Sequence, residues 1–338
     1  MKDLNLYIGE FPAPFNGVSV KNSLLYTEVF SKHNVKILDL AECKRQPWHI
    51  PFVFLKLIFE LIVAENVLIG VGTDKRRKII LGLQRILRGK KRLKNITLVA
   101  MGGRLHLSAQ QDRLFLNQLK EVGTILVETN GIESGLKILG ITNTKVIPNC
   151  RTLKGEQAPR MVNDKVKFVY FSVVCAEKGM DDIVEAVENI KEGYTLDIYG
   201  EIVERYKAKF LEFLNNHPEV KYHGVFDSTT EKVYSELNQY DVMLFPTHWK
   251  GEGVPGTLVE SKISGITAIV SDWNFNKEVV IDGIEGIVSD NLINAMQKLI
   301  DDKNLLMQLK TNAYRSRFRY STKTYEEQLL SCIERRVV

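Results

Sequence analysis

Val242-Met-Leu-Phe-Pro246-Thr-His-Trp-Lys-Gly251-Glu-Gly-Val-Pro-Gly-Thr-Leu-Val-Glu260 decides how this chain is read. Val242 to Phe245 is a short apolar run, the pattern of a parallel strand buried on both faces. Pro255 suits the first turn of a helix and Gly265 its end. Residues 247–255 then form a loop that delivers the chain into a helix N-terminus. There the unpaired N–H groups of Gly256, Thr257 and Leu258, with the positive end of the helix dipole, are suited to hold a diphosphate. Glu260 falls about one turn further in, while Glu252 stays on the loop. One carboxylate is thereby placed for a ribose diol and the other for a hexose hydroxyl. The plainer alternative makes Glu252 a solvated loop residue and Glu260 a first-turn acid that favours the dipole.

Outward from this segment, short apolar runs alternate with helical patterns. Before Pro148 the runs are Leu4–Gly9, Val35–Leu40, Val67–Val71, Ile96–Ala100, Thr124–Glu128 and Lys145–Ile147, separated by helical stretches near 19–31, 51–64, 77–88, 110–120 and 131–139. Asn149 to Asp164 is polar and irregular. A second series follows at Val166–Val174, Thr195–Tyr199, Val220–Tyr222, Val242–Phe245 and Thr267–Val270, with an amphipathic helix over Met180–Ile190. The pattern predicts two doubly wound α/β domains. In such folds ligands bind beyond the carboxyl ends of the strands, where Glu252 and Gly256 lie. The 338 residues also exceed a usual single core of about 250–300, which favours two domains.

Hydrophobic content of 44% and charged content of 26% are those of a soluble globular protein. Cys43, Cys150, Cys175 and Cys332 show neither a C-x-x-C pair nor metal-site spacing, which fits a reduced cytoplasmic setting. The start, Met-Lys-Asp, runs straight into the first strand with no signal-peptide pattern. Ile50 to Ala64 is broken by Lys56 and Glu60, is too short for a spanning helix, and reads as a domain helix. Net charge is +5, but Lys75 to Lys94 holds ten Lys or Arg and no acid. That stretch is either a patch for anionic lipid headgroups, which would make the protein peripheral at the inner face of the membrane, or a solvated helix face. With no interleaved aromatics, nucleic acid is not expected as a partner.

These residues resemble the retaining GT-B glycosyltransferases, the large "glycosyl transferases group 1" family (family 4-like) that builds bacterial exopolysaccharide, capsule and lipid-linked glycans. The resemblance is strongest from Tyr240 through Glu260, Ser264-Gly265 and Ser271-Asp-Trp-Asn-Phe-Asn-Lys-Glu278 to Asp282-Gly283. Glu177-Lys178-Gly179 resembles the family's E-K-G, Pro148-Asn149 its P-N, Phe11 to Val20 its first loop with Gly17, and Gly102-Gly103 its H-G-G. The resemblance implies two Rossmann-like domains facing across a cleft. Residues 1–150 would bind the acceptor, 151–164 link, and 165–315 bind the nucleotide sugar, while 316–338 return to the first domain as a C-terminal helix.

Carried over, Glu252 and Lys178 are the catalytic residues, Lys178 on the diphosphate and Glu252 on the donor sugar. Glu260 binds the ribose. Gly17, Val254, Pro255, Gly256, Thr257, Leu258, Gly102 and Gly103 complete the donor site. No cofactor and no metal is expected, since no D-x-D pair falls in a donor loop; the donor is a nucleoside-diphosphate sugar, a UDP-sugar favoured. The acceptor is a glycan or lipid-linked saccharide. The chain departs from the family at Val173, where an arginine is usual, and at Met101, where a histidine is usual. Arg104, Lys250, His248 and His106 are candidate substitutes, each with a solvated alternative. The departures also motivate a rival, a non-catalytic partner subunit; a sugar-nucleotide epimerase would need carboxylates and histidines that the sequence does not display.

Overall fold

The computed structural model describes residues 4–13, 16–227 and 230–334. The chain forms two compact units, one of residues 1–152 with 322–338 and one of Leu153–Ser321. Each holds a six-stranded, wholly parallel sheet, the fold class read from the sequence.

In the first unit the strands are β1 (Asn5–Gly9), β2 (Val35–Asp39), β3 (Asn66–Gly70), β4 (Ile96–Val99), β5 (Thr124–Val127) and β6 (Thr144–Val146), in the order β2-β1-β3-β4-β5-β6. β1, β3, β4 and β5 are buried along their whole length, whereas the edge strands β2 and β6 are partly exposed. This is why the inner strands read as continuous apolar runs. The helix Thr322–Leu330 belongs to this unit, and Leu329, Cys332 and Ile333 pack into one core with Tyr7, Leu68 and Leu126. The helical stretch expected over 110–120 is two helices, Leu105–Gln111 and Arg113–Glu121. Asp112 breaks it by leaving the helical backbone and accepting the Phe115 N–H at 2.9 Å, an N-cap inside an apolar pattern.

The second unit is built from β7 (Val166–Phe171), β8 (Tyr194–Tyr199), β9 (Val220–Tyr222), β10 (Val242–Phe245), β11 (Thr267–Val270) and β12 (Gly286–Val288), ordered β12-β11-β10-β7-β8-β9. Alternate residues divide between two cores, as the two-residue period of a strand requires. Phe168, Tyr170, Val242 and Leu244 face one core with Met180, Ile183 and Val187 of the helix Met180–Asn189. Val169, Phe171, Met243 and Phe245 face the other with Leu258, Val259 and Ile263 of the helix Gly256–Ile263. β12 was not read from the sequence. The irregular segment after Leu153 is held to this unit by Gln157 N–H on the Ile263 carbonyl at 3.0 Å and by Asn238 on the Ala158 carbonyl at 2.9 Å.

Strand order reverses between β7 and β10: β8 and β9 lie on one side, β11 and β12 on the other. The loops that follow β7 and β10 therefore diverge to opposite faces of the sheet and leave a crevice at its carboxyl edge.

Candidate functional site

Lys178 and Glu252 meet at this switch point. After β7 the chain makes a short 3-10 turn, Ala176–Lys178, and enters the helix Met180–Asn189 through Gly179 at φ +79°. Glycine is required there twice over: the backbone is left-handed, and a Cβ would overlap the Pro246 carbonyl of the loop after β10. With the loops this close, Lys178 Nζ donates to Glu252 Oε2 at 2.5 Å. Their side chains are only 18% and 12% exposed. Thr247 Oγ1 donates to the same carboxylate oxygen at 3.3 Å, and His248 N–H donates to the Glu177 carbonyl at 2.9 Å. Glu252 is thus no solvated loop residue.

The loop that carries Glu252 is fixed from β11 as well. Trp273 Nε1 donates to the Trp249 carbonyl at 2.9 Å, and Asn274 Nδ2 reaches the carbonyls of Trp249 at 3.2 Å and Glu252 at 3.4 Å. Asn274 does so from φ +45°, a conformation that asparagine tolerates better than most residues. Ser271 Oγ holds the Thr247 carbonyl at 2.6 Å.

The helix after this loop begins at Gly256, with Pro255 as an extended N-cap rather than in the first turn, and no side chain caps it. Leu258 N–H is not open: it donates to the Pro255 carbonyl at 3.2 Å, because the first turn tightens to 3-10 form. Among the described residues the N–H groups of Gly256 and Thr257 remain for an anion. Val254 and Leu258 are buried. Glu260 lies beyond the first turn, which contains no acid, and is 2% exposed. Its helix ends at Gly265, φ +71°, whose position touches the backbone of Gln157 to Pro159. The same helix is anchored by Lys262, buried at 2.9 Å from Glu285 and 3.1 Å from Ser316 Oγ, while Arg319 donates to both oxygens of the Glu285 carboxylate.

The remaining candidates belong to the first unit. Gly17 opens the helix Gly17–Glu28 behind a capping box of Asn16 and Ser19, and nothing lies within 4 Å of where its Cβ would be. Pro14 and Phe15 of that loop lie outside the described residues. Gly102 sits at φ +85°, Gly103 is buried, and the Met101 carbonyl accepts from the buried Arg77 at 3.1 Å. Of the proposed substitutes, Arg104 and Lys250 are exposed. His106 is partly buried against Gly135, and burial lowers its pKa. His248 pairs with Asp182 at 2.9 Å.

Three supporting residues were not singled out from the sequence. Arg205 pairs with Glu177, next to Lys178, and so brings a cation near the position that Val173 leaves uncharged. Trp273 and Asn274 hold the Glu252 loop; they stand within Ser271–Glu278, which carries the family resemblance, but no role was read for them. The basic stretch is largely neutralised: Arg76, Arg77, Lys78, Arg85, Lys90 and Arg92 are ion-paired with Glu10, Asp74, Asp112, Glu121 and Glu65. Among the described residues no cluster of His, Cys, Asp and Glu is placed to hold a metal ion, and no helix is long and apolar enough to cross a membrane.

Comparison with known proteins bears on the fold. Residues 155–316 match the family model "Glycosyl transferases group 1". An uncharacterized glycosyltransferase of Methanocaldococcus jannaschii is 29% identical over 153 residues, 42% of this chain but only 38% of that protein's length. Among solved structures, Anabaena HepE in complex with UDP has a TM-score of 0.75 at 14% identity, covering 97% of this chain and 98% of that one. HepE is also solved with UDP-glucose. Sucrose-phosphate synthase of Thermosynechococcus elongatus has a TM-score of 0.73 at 14% identity, covering 98% of each chain. Residues 155–316 are thus similar to the Glycosyl transferases group 1 family, and the chain has the GT-B fold.

Proposed function

We propose that the protein is a retaining, metal-independent glycosyltransferase that moves a sugar from a nucleoside diphosphate, a UDP-sugar favoured, to a hydroxyl of a glycan or lipid-linked acceptor in surface polysaccharide synthesis. The observation that carries the reading is the meeting of Lys178 and Glu252 beside the open N-terminus of the helix that buries Glu260. A donor diphosphate would lie on the Gly256 and Thr257 N–H groups, with Lys178 neutralising it and Glu260 taking the ribose hydroxyls. As the anomeric bond breaks, negative charge grows on the diphosphate, and groups already aimed at it lower the barrier without reorganising. Glu252 orients the sugar, and the leaving phosphate oxygen takes the acceptor's proton, so no separate base is needed. Support for a UDP donor comes from HepE, which binds UDP and UDP-glucose.

Calorimetric titration with UDP, GDP, ADP and CMP, beside Glu260→Ala, tests the donor site. One diphosphate should bind, and the variant should lose about 1–3 kcal/mol, the worth of a charge-assisted hydrogen bond. Wild-type affinity in the variant sinks the ribose assignment. The second reading, a binding-only partner subunit, rests on Val173 and Met101. It predicts nucleotide binding with no release of nucleoside diphosphate from any sugar nucleotide.

A further inference from the structure

The helix Ile50–Val63 is apolar on the wrong side. Val53, Leu57 and Leu61 pack inward, as does Glu60, its only acid, which is ion-paired with Lys36. The opposite face should be polar in a water-facing helix. Instead it presents Phe52, Leu55, Phe59 and Ile62, at helical spacing and 71%, 64%, 61% and 46% exposed. Trp48, in the turn just before, is 70% exposed. A contiguous stripe of this kind marks a contact surface. At 14 residues the helix is about 21 Å long, too short to span a bilayer but suited to lie in its interface.

The charges around the stripe choose the occupant. Lys56, on the helix itself, is exposed with no ion-pair partner among the described residues. Arg88 bonds the Ala64 carbonyl and Arg92 pairs with Glu65, which places at the C-terminal end of the helix the segment carrying Lys91, exposed and without an ion-pair partner among the described residues. At the other end Lys44 and Arg76 share the carboxylate of Glu10 and Arg45 pairs with Asp39, while Glu42 faces the His49 ring, so that end is close to neutral and the positive excess lies at Lys56 and at the Lys91 end. Two copies docked through this face would bring like charges together. Anionic headgroups around a buried aromatic stripe satisfy both features.

We propose that the Trp48–Val63 face seats this chain on an anionic membrane surface, with Phe52, Leu55, Phe59 and Ile62 in the acyl boundary and Lys56 and Lys91 on the headgroups. The contact then lies on a helix whose apolar face does the inserting, and the largely ion-paired basic stretch contributes Lys91 to it. Vesicle flotation tests it with the full chain, on phosphatidylglycerol–phosphatidylcholine and on phosphatidylcholine alone. Wild type should float with the anionic vesicles, with a blue shift in tryptophan emission that Trp48→Phe removes. Phe52→Ser/Phe59→Ser should lower partitioning at least tenfold, and Lys56→Glu/Lys91→Glu several-fold on anionic vesicles only. All four side chains are exposed, and an unchanged thermal melt confirms that both variants fold. Wild type left in solution at low salt, or variants that float equally well, overturns the proposal. So does a dimer in sedimentation equilibrium that Phe52→Ser/Phe59→Ser dissolves in the absence of vesicle binding. Because the readout is binding alone, this result is separate from that of the transfer reading.

Discussion

Glu252→Gln should separate sugar orientation from nucleotide affinity. The substitution keeps the size of the side chain and removes its charge. In the unliganded protein Glu252 holds Lys178 at 2.5 Å, with both side chains mostly out of solvent. An incoming diphosphate must share or displace that partner. A hydrogen bond to a charged group contributes about 1.5–3 kcal/mol, and the remaining solvent contact puts this one at the lower end. Releasing about 1.4 kcal/mol of competition is about a factor of ten in affinity. UDP should therefore bind Glu252→Gln as tightly as wild type or up to about tenfold more tightly, while kcat for nucleoside-diphosphate release falls. Calorimetry gives the first quantity and product release the second. The gain should vanish in a Lys178→Met background, since no cation is then freed. A loss of tenfold or more in UDP affinity on Glu252→Gln alone would refute the reasoning, because it would make the carboxylate a nucleotide ligand and not a competitor for the lysine.

Three further outcomes follow from the frame around the site. Gly179→Ala places a side chain in left-handed backbone at a cost of about 1–2 kcal/mol, before the overlap with the Pro246 carbonyl; it should lower the melting temperature and UDP affinity together, and unchanged affinity would detach Gly179 from the placement of Lys178. Lys310→Met strands Asp241, which accepts Lys310 Nζ at 2.6 Å in the interior, and should cost about 3–5 kcal/mol in urea unfolding, a loss under 1 kcal/mol counting against it. Burial pushes Lys262 down from its ordinary 10.5 to about 8, so between those values the unfolded chain binds one proton more and stability rises with pH by at most about 1.4 kcal/mol per unit. The excess in unfolding free energy over Lys262→Met should be flat below pH 8 and climb above it; a flat difference throughout means the lysine stays charged.

The fold was legible because most strands are buried on both faces. Val242–Phe245 has no polar residue and Thr267–Val270 only a buried threonine at its start, so their runs announce themselves. β12 escaped because Gly286-Ile-Val288 is three residues long, begins with glycine and lies between Glu285 and Ser289, leaving no pattern to read. Glu252 and the helix start at Gly256 were legible from local spacing. Lys178 was named through the resemblance of Glu177-Lys178-Gly179, but its contact with Glu252 was not read: the two are 74 positions apart, and only the β7–β10 adjacency brings them together. The outward face of Ile50–Val63 was hidden for the opposite reason, since a helix apolar all round carries no sign of which side faces water.

The second unit treats its charges in two ways, and the contrast explains why the site lies where it does. Lys262 with Glu285, and Lys310 with Asp241, lie inside the unit with hydrogen bonds from more than one element. Removing either partner leaves a charge with no water to receive it, so these pairs lock their helices. Lys178 and Glu252 sit instead at loop ends, each with one edge toward solvent, and a ligand carrying its own negative charge can replace the carboxylate on the lysine without stranding it. Rigidity is supplied from behind, by Gly179 against Pro246 and by Asn274 and Trp273 on the loop carbonyls. On the proposed reading, an exchangeable ion pair on a fixed backbone would hold the cation in place before a diphosphate arrives, the preorganisation that stabilising a departing anion requires.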